Sequence, residues 1–248
     1  MSTVINLSAG IVKNFAREKA IVLLLLMFPI LMVIMAVASA PDSMVPLELD
    51  DTLVLPPPSG EEVAVILYSI TALVFVTSIT SFFVSFQLRS VVPRLRILGY
   101  SNFKIIASFV LVVVLISALS TIAITIVGTQ WVSPIDWGGY IFSLFAGAII
   151  FSTIGLIVAE LVDSKELGLY LILTLGAIDT GFLENPIYSQ RYNDPGLAIM
   201  PGNVPIHMLL RASFETSKSW MVGLQAIVLY EIFLIGIYLV VKRLFRSS

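Results

Sequence analysis

The length, composition and charge of the chain exclude an ordinary soluble protein. Of its 248 residues, 58% are hydrophobic and 12% are charged, and the net charge is −2. Soluble domains carry roughly 25% charged residues. The chain has no cysteine and a single histidine, which excludes disulfides, thiolate metal sites and metal sites with several histidine ligands. The composition indicates a membrane protein.

Six apolar segments are candidates for membrane spans, each of which needs about 20 mostly apolar residues. They lie at about 20–39, 63–86, 103–127, 139–159, 167–183 and 220–241. The fifth is the shortest and contains an aspartate. We predict one all-α integral membrane domain over residues 1–248 with six transmembrane helices.

The distribution of lysine and arginine predicts the orientation of this domain. Eleven of the fourteen basic residues flank the spans on one side, which the positive-inside rule makes cytoplasmic. The loop over 41–62 has six acidic residues and no basic one. We therefore expect a multi-pass protein of the cell (plasma) membrane with both termini in the cytoplasm and the acidic loop outside. The end of that loop, "LPPPSGEE", is expected to be stiff and extended.

The N-terminal residues 2–18 read as a cationic amphipathic helix. Apolar residues recur there at helical spacing, at Val4, Leu7, Ile11, Val12 and Phe15. Such a helix next to a span should lie in the headgroup plane of the membrane, or else pack on a protein partner. Both alternatives place it in the cytoplasm. No signal-peptide pattern is visible, and we expect no cleavage after "ASA" at 38–40 because the run before it is long enough to span.

The stretch "QLRSVVPRLRILGYSNFKI", residues 87–105, joins the second and third spans. Pro93 suits a first helical position and Gly99 suits a C-terminal stop. Between them Leu95 and Leu98 are three residues apart, which places them on one face of a short helix. The basic residues in the stretch are explained by orientation alone, but the internal layout predicts a short capped helix.

The sequence contains no motif that indicates catalysis. It lacks H-E-x-x-H, G-x-S-x-G and the phosphate-binding G-x-x-x-x-G-K-[ST] pattern. His207 is interpreted as a loop residue. We therefore expect a protein that is not an enzyme, and any work driven by ATP would require a second polypeptide.

Two acidic residues lie within predicted spans and are candidates for a transport path. Glu231 is about midway through the sixth span and Asp179 is near the outer end of the fifth. Ionisable groups are costly in lipid and are commonly functional there. Glu231 has no intramembrane Lys or Arg partner in the sequence. We therefore expect it to be protonated or hydrogen-bonded to Ser or Thr of a neighbouring helix.

The segment over 184–219 precedes the last span and mixes Pro, Gly and Asn with apolar stretches such as "IHMLLRASF". This mixture favours short helices that dip into the membrane interface over a solvated linker. We predict an outer re-entrant helical segment.

The order of these features resembles the membrane subunit of type-2 ABC transporters, the six-span class of exporter permeases. "INLSAGIVKNFAREKAIVLLLLMFPILMVIMA" resembles the opening of that family, with a basic interfacial helix and a proline early in the first span. "RLRILGYSNFKIIASFVL", "STIGLIVAELVDSKELGLYLIL" and "NVPIHMLLRASF" resemble its later segments in the same order. The resemblance is architectural and extends over nearly the whole chain. Members often carry a Glu where this chain has Gln87 and Arg89.

The resemblance implies a mechanism with several partners. Two permeases, either two copies of this chain or one copy with a sister subunit, would form the substrate path in the lipid bilayer. Two separate ABC subunits would bind ATP and Mg, so this chain would need no cofactor of its own. The element at 93–101 would act as the coupling helix that inserts into the ATPase. Its residues would be Pro93, Arg94, Leu95, Arg96, Leu98, Gly99 and Tyr100. The interfacial helix would use Leu7, Ile11, Phe15 and Arg17.

Two other functional classes remain open. One is a secondary or ion-coupled transporter that works without an ATPase, for which internal repeats would be expected. The other is an integral membrane enzyme or an assembly scaffold. A lipid, drug-like or amphipathic peptide cargo suits the apolar spans, and nothing in the sequence indicates nucleic acid.

Overall fold

The protein is described by a computed structural model over residues 2–17, 19–49, 52–183, 200–215, 224–225, 227–232 and 234–236. Helices account for most of these residues. They are α1 (Ser2–Arg17), α2 (Lys19–Ser39), α3 (Gly60–Leu88), α4 (Val92–Ile97), α5 (Asn102–Gly128), α6 (Trp137–Leu161), α7 (Lys165–Leu183) and α8 (Asn203–Phe214). Two short strands, β1 (Glu48–Leu49) and β2 (Thr52–Leu53), pair antiparallel. A further apolar helical stretch, Ile227–Gly236, is called the C-terminal segment.

Three of the described helices are long and apolar enough to cross a membrane. They are Gly60–Leu88, Phe103–Gly128 and Trp137–Leu161, with 29, 26 and 25 residues. Shorter apolar helical stretches occur at Met27–Ser39 and Ile227–Gly236. By length and composition the chain is therefore a helical membrane protein, which confirms the predicted class. Six spans remain a prediction, and part of the sixth, over 220–223 and 237–241, lies outside the described residues.

Helix α3 is the centre of the bundle. It contacts α2, α5, α6, α7 and α8, and most of its side chains are buried. Its start is fixed by a capping box in which Ser59 Oγ accepts from the Glu62 backbone N–H at 3.2 Å and Glu62 Oε2 accepts from the Ser59 N–H at 2.9 Å. Buried hydroxyls such as Ser69 and Thr77 donate to carbonyls one turn earlier, at 2.6 and 2.8 Å. This bonding satisfies polar groups that lipid could not.

The acidic loop after α2 folds against the bundle through a short β-hairpin. Backbone bonds join Val45 N–H to Pro58 O and Val54 N–H to Leu47 O, both at 2.9 Å, around the β1–β2 pair. Leu47 and Leu49 are completely buried against the helices. Burial of these alternating leucines holds the loop against the bundle. We call the side of the bundle that carries it the hairpin end.

The opposite side of the bundle, which we call the α4 end, carries α4 together with the C-terminal ends of α3 and α6 and the N-terminal ends of α5 and α7. Basic residues concentrate there, at Arg89, Arg94, Arg96, Lys104 and Lys165. Helix α1 packs on α5 at the same end. The charge asymmetry from which the orientation was predicted is thus also present in three dimensions.

Helix α8 lies in the predicted re-entrant segment and packs mainly on α6. Ile206, Leu209 and Leu210 are buried in the main apolar core. His207 is half-buried within this helix, so its interpretation as a loop residue was wrong. The rest of the predicted segment, over 184–199 and 216–219, lies outside the described residues.

Candidate functional site

Helix α4 is a six-residue helix that is terminated by its own backbone. Pro93 stands in its first turn, where a missing N–H costs nothing. At the other end Gly99 has a φ of +84°, which glycine adopts without strain. The Gly99 N–H donates to Arg96 O and the Tyr100 N–H to Leu95 O, both at 3.0 Å. This pair of bonds is a Schellman motif and satisfies carbonyls that the helix end would otherwise leave free.

The exposed face of α4 combines apolar and cationic side chains. Ile97 is 86% exposed and Leu98 is 72% exposed, and Arg94 and Arg96 are exposed beside them. No residue of α4 is buried. In water a short helix usually turns such residues toward a core. Helix α4 therefore protrudes from the bundle. No other described part of the chain covers its apolar side chains enough to bury them.

The structure changes two details of the predicted coupling element. The helix ends at Ile97, so residues 98–101 form its C-terminal cap and the connection to α5 instead of a further helical turn. Leu95 is half-buried, and thus Leu95 and Leu98 do not form one exposed face. The exposed apolar pair is Ile97 with Leu98. Sequence spacing missed this because the helix stops one residue before Leu98.

The beginning of α5 extends the same surface. Ser101 caps α5 by accepting from the Lys104 N–H at 3.4 Å. Phe103, in the first turn of α5, is 79% exposed, and Lys104 is exposed beside it. We call the set formed by Arg94, Arg96, Ile97, Leu98 and Phe103 the α4 surface.

Helix α1 is fastened to α5 by both apolar and polar contacts. Ile11 is buried in a cluster with Leu88 and Val112, and Leu7 packs on that cluster while half-buried. Ser8 Oγ donates to Ser108 O at 3.3 Å. These contacts place the predicted interfacial helix against the ends of α3 and α5. Arg17 is exposed, and the side chain of Phe15 lies outside the described residues.

Arg89 links α3 to the end of α6. Its Nη1 donates to Val162 O at 2.6 Å and to Ala159 O at 3.0 Å. These carbonyls belong to the last turn of α6 and its cap, where a cation is favoured by the helix dipole. The exposed Asp163 lies 4.0 Å away and adds little, because surface ion pairs contribute weakly. Arg89 therefore links α3 and α6 by hydrogen bonds, at a position just before α4.

The two acids within predicted spans, Asp179 and Glu231, lie apart from the α4 surface, and each has a hydrogen-bond partner. Thr153 Oγ1 on α6 lies 3.2 and 3.0 Å from the two carboxylate oxygens of Glu231 in the C-terminal segment. This contact confirms the expectation that Glu231 bonds to Ser or Thr across a helix interface. Asp179 is 3% exposed, and its Oδ1 accepts from the Gly202 N–H at 3.2 Å.

Sequence reasoning missed the polar fastenings between helices. Ser8 falls on the apolar face of α1, four residues after Val4 and three before Ile11, and this position signals a contact across helices. Arg89 gave no local signal, because its acceptors are backbone carbonyls 70 and 73 residues later. From the sequence, Arg89 was explained only as a charge that sets orientation, and Ser8 was assigned no role.

The groups described above are suited to the binding of another protein and to movement of the connected helices. Within the described residues no group of three or more His, Cys, Asp or Glu is placed to hold a metal ion. The α4 surface offers apolar anchors and cations, a combination that suits contact with a folded protein.

The fold defines a helical membrane protein with a protruding cationic element at one end. No protein-family model matches the sequence, and no curated protein matches it.

Proposed function

We propose that the chain is the permease subunit of an ATP-driven exporter. Six spans with both termini in the cytoplasm form half of a substrate path, and a second copy or a sister subunit completes it. Two ABC subunits on separate chains bind ATP and Mg and dock on the α4 end. The observation that carries this proposal is the α4 surface, where a short capped helix with two exposed arginines leaves Ile97 and Leu98 in solvent.

The energetics of the α4 surface favour a protein partner. Fully burying a Leu or Ile side chain gains about 1.5–3 kcal/mol, so a partner that covers Ile97 and Leu98 gains several kcal/mol from these two residues. Arg94 and Arg96 are exposed in the same short helix and suit an acidic rim on the partner. The Schellman cap fixes the helix before binding, which lowers the ordering cost of association.

The position of α4 suits the transmission of movement into the membrane. It follows α3 after a three-residue connection and precedes α5 by four residues. Arg89, within that first connection, holds the end of α6. A partner that pulls α4 therefore acts on α3, α5 and α6 together. Closing of an ATPase pair would bias the bundle between two arrangements, as coupled helix shifts do in other switches.

Two substitutions test the docking role with the rest of the chain intact. Ile97→Asp and Leu98→Asp change exposed side chains, whereas Leu95→Asp would also place a charge in a half-buried site. We expect both exposed variants to lose a co-purifying ATP-binding subunit, or its substrate-stimulated ATPase activity after reconstitution. Leu55→Asp is the matched control, since Leu55 is 75% exposed at the hairpin end and should leave both unchanged.

The decisive results against the proposal are equally concrete. Normal assembly and transport in both α4 variants would exclude the α4 surface as the docking element. Purification of the full chain from its native membrane without a stoichiometric ATP-binding subunit would exclude the exporter itself.

A secondary transporter is the second candidate, and the two intramembrane acids favour it. Asp179 is buried and Glu231 is half-buried, and acids at this depth commonly carry ions in such transporters. Each acid forms a hydrogen bond with another helix or its N-terminal end, which gives it a structural role. The ATP-driven exporter is preferred for this reason. Ion-dependent transport by the purified chain alone in liposomes would support the second candidate and contradict the first.

A further inference from the structure

Glu231 lies on the packed face of the C-terminal segment. Ile227 and Leu234 are buried, and Tyr230 and Glu231 are half-buried. These four residues are spaced at i, i+3, i+4 and i+7, which places them on one side of a helix. Leu229, on another side, is 67% exposed. The carboxyl group of Glu231 is therefore held in a contact between helices and is not presented to lipid.

The surface of α6 that the segment meets is apolar except at Thr153. Ile150 is completely buried in a cluster with Ile227, and Ile157 packs on the same cluster. Thr153 is three residues after Ile150 and four before Ile157, so it shares their face of α6. It lies about eight residues, or about 12 Å, before the end of α6. The Thr153–Glu231 contact is thus a polar pair inside an apolar interface, within the length of a span.

Thr153 has more oxygen neighbours than it has protons to share with them. Its Oγ1 lies 3.1 Å from Ile149 O, and 3.2 and 3.0 Å from the two carboxyl oxygens of Glu231. A hydroxyl donates one hydrogen bond, and an ionised carboxylate donates none. If Glu231 were ionised, the single proton of Thr153 would serve either Ile149 O or the carboxylate. The other contact would then join two oxygens with no proton between them.

One additional proton removes this conflict. A protonated Glu231 donates from Oε2 to Thr153 Oγ1 at 3.0 Å, and Thr153 donates its own proton to Ile149 O at 3.1 Å. Each of these oxygen pairs is then joined by one proton. The surroundings favour the same form, because an ionised carboxylate in an apolar interface costs far more than a neutral acid that is hydrogen-bonded.

The charged groups on the elements that share this cluster lie away from Thr153. The titratable residues of these elements are Tyr140 and Glu160 on α6, His207 and Arg211 on α8, and Tyr230 on the segment itself. Ala212, next to Arg211, lies against Gly139, which is about 14 residues or about 21 Å before Thr153. Glu160 is exposed and about 10 Å beyond Thr153. Arg211 is therefore too distant to hold Glu231 in the ionised form.

We propose that Glu231 is a proton-binding site within the membrane domain. It takes a proton from water, holds it on one carboxyl oxygen and donates it to Thr153 Oγ1. The bound proton makes the carboxyl neutral, so the C-terminal segment packs on α6 without burying a charge. The pair also fixes the register between the two helices, as a single polar position does in a coiled coil. This role goes beyond the proposed function and needs no energy source.

Infrared spectroscopy of the full-length chain in lipid membranes tests the site. A neutral carboxyl group has a C=O absorption band that an ionised carboxylate lacks. Glutamate labelled with ¹³C at its side-chain carboxyl shifts the band of Glu231 and leaves any band of Asp179 in place. A glutamate in water is ionised at pH 7 and adds nothing to this band. We expect a label-sensitive band at pH 7 in the wild-type chain and its loss in Glu231→Gln.

Variants of Thr153 test the direction of the hydrogen bond. Thr153→Val removes the hydroxyl group and keeps the branched shape, so the Glu231 carboxyl loses its acceptor and its band should shift to higher frequency. Thr153→Ser keeps the hydroxyl group and should leave the band in place. Thr77→Val is the matched control, because Thr77 donates to Leu73 O of its own helix at 2.8 Å. The control should not move the band.

Three outcomes would overturn the proton site. Absence of a label-sensitive band in the wild-type chain at pH 7 would show that Glu231 is ionised, and this result depends on no variant being folded. Persistence of the band in Glu231→Gln would assign the proton to another glutamate. A band at the same frequency in Thr153→Val and in the wild type would show that Thr153 is not the acceptor. None of these measurements requires ATP or a partner, so they are separate from the test for an ATP-binding subunit.

Discussion

Helices α3 and α4 follow each other in the chain, yet they are stabilised in opposite ways. Helix α3 has 29 residues, most of them buried, and contacts five other helices. Helix α4 has six residues, none of them buried. Only Arg89, Ser90 and Val91 separate the two.

The difference shows what each helix is built for. Isolated helices shorter than about 12 residues are marginal in water, so α4 depends on its Schellman cap and on its covalent connections to α3 and α5. Helix α3 depends on contacts with its neighbours. Substitutions in α3 or its partners should therefore change the stability of the whole protein, whereas substitutions in α4 should change local order and partner binding.

The largest expected effect is at the closest approach of α3 and α6. A Cβ on Gly155 would lie 3.0 Å from the carbonyl carbon and Cα of Ser78, and closer still to the carbonyl oxygen. Helix backbone cannot move aside as a side chain can, so Gly155→Ala should force the helices apart and cost about 3 kcal/mol or more. The midpoint of thermal unfolding in detergent measures this loss.

Gly10→Ala is the matched control for Gly155→Ala, because the same methyl group on α1 meets nothing within 4 Å. Alanine is the better helix former, so this variant should be neutral or gain up to about 1 kcal/mol. A similar midpoint for the two variants would contradict the idea that α3 is stabilised by close contact with α6.

An intermediate effect is expected at Arg89, where the buried and exposed regions meet. Arg89→Ala removes both bonds to the end of α6 and should cost about 2 kcal/mol. Arg89→Lys should recover part of this loss, since an ammonium lacks the planar fork of a guanidinium. Arg94→Ala, on the exposed face of α4, is the control and should leave the unfolding midpoint unchanged. If Arg89→Ala and Arg94→Ala have the same unfolding midpoint, the hydrogen bonds of Arg89 to α6 contribute nothing to stability.

The long helices could be predicted from the sequence because the length of an apolar run is a local property. The segments predicted at 63–86, 103–127 and 139–159 agree with α3, α5 and α6 to within one helical turn. Likewise Pro93 and Gly99 marked a short capped helix, because proline and glycine act through backbone dihedrals that need no tertiary context. The exact end of that helix, at Ile97, depends on backbone bonds that spacing alone did not resolve.

The contacts that fasten the helices could not be predicted, because each joins groups distant in sequence. Asp179 bonds to the start of α8, and Arg89 bonds to α6, and neither pairing follows from local composition. The folded loop is different, since Leu47 and Leu49 alternate with acidic residues in the sequence. That alternation is typical of a strand with one buried face, so the buried side of this loop could have been predicted from local sequence.

The smallest effect on global stability is expected at Gly99, where α4 ends. A φ of +84° disfavours alanine by about 1–2 kcal/mol, so Gly99→Ala should open the bonds from the Gly99 and Tyr100 N–H groups to α4. Because no residue of α4 is buried, this cost should appear as faster amide exchange over 92–100 with little change in the unfolding midpoint. Gly99→Asn tolerates the left-handed region better and should exchange more slowly than Gly99→Ala. A fall in the midpoint as large as that of Gly155→Ala would show that α4 is part of the packed bundle, and the contrast between the two helices would be lost.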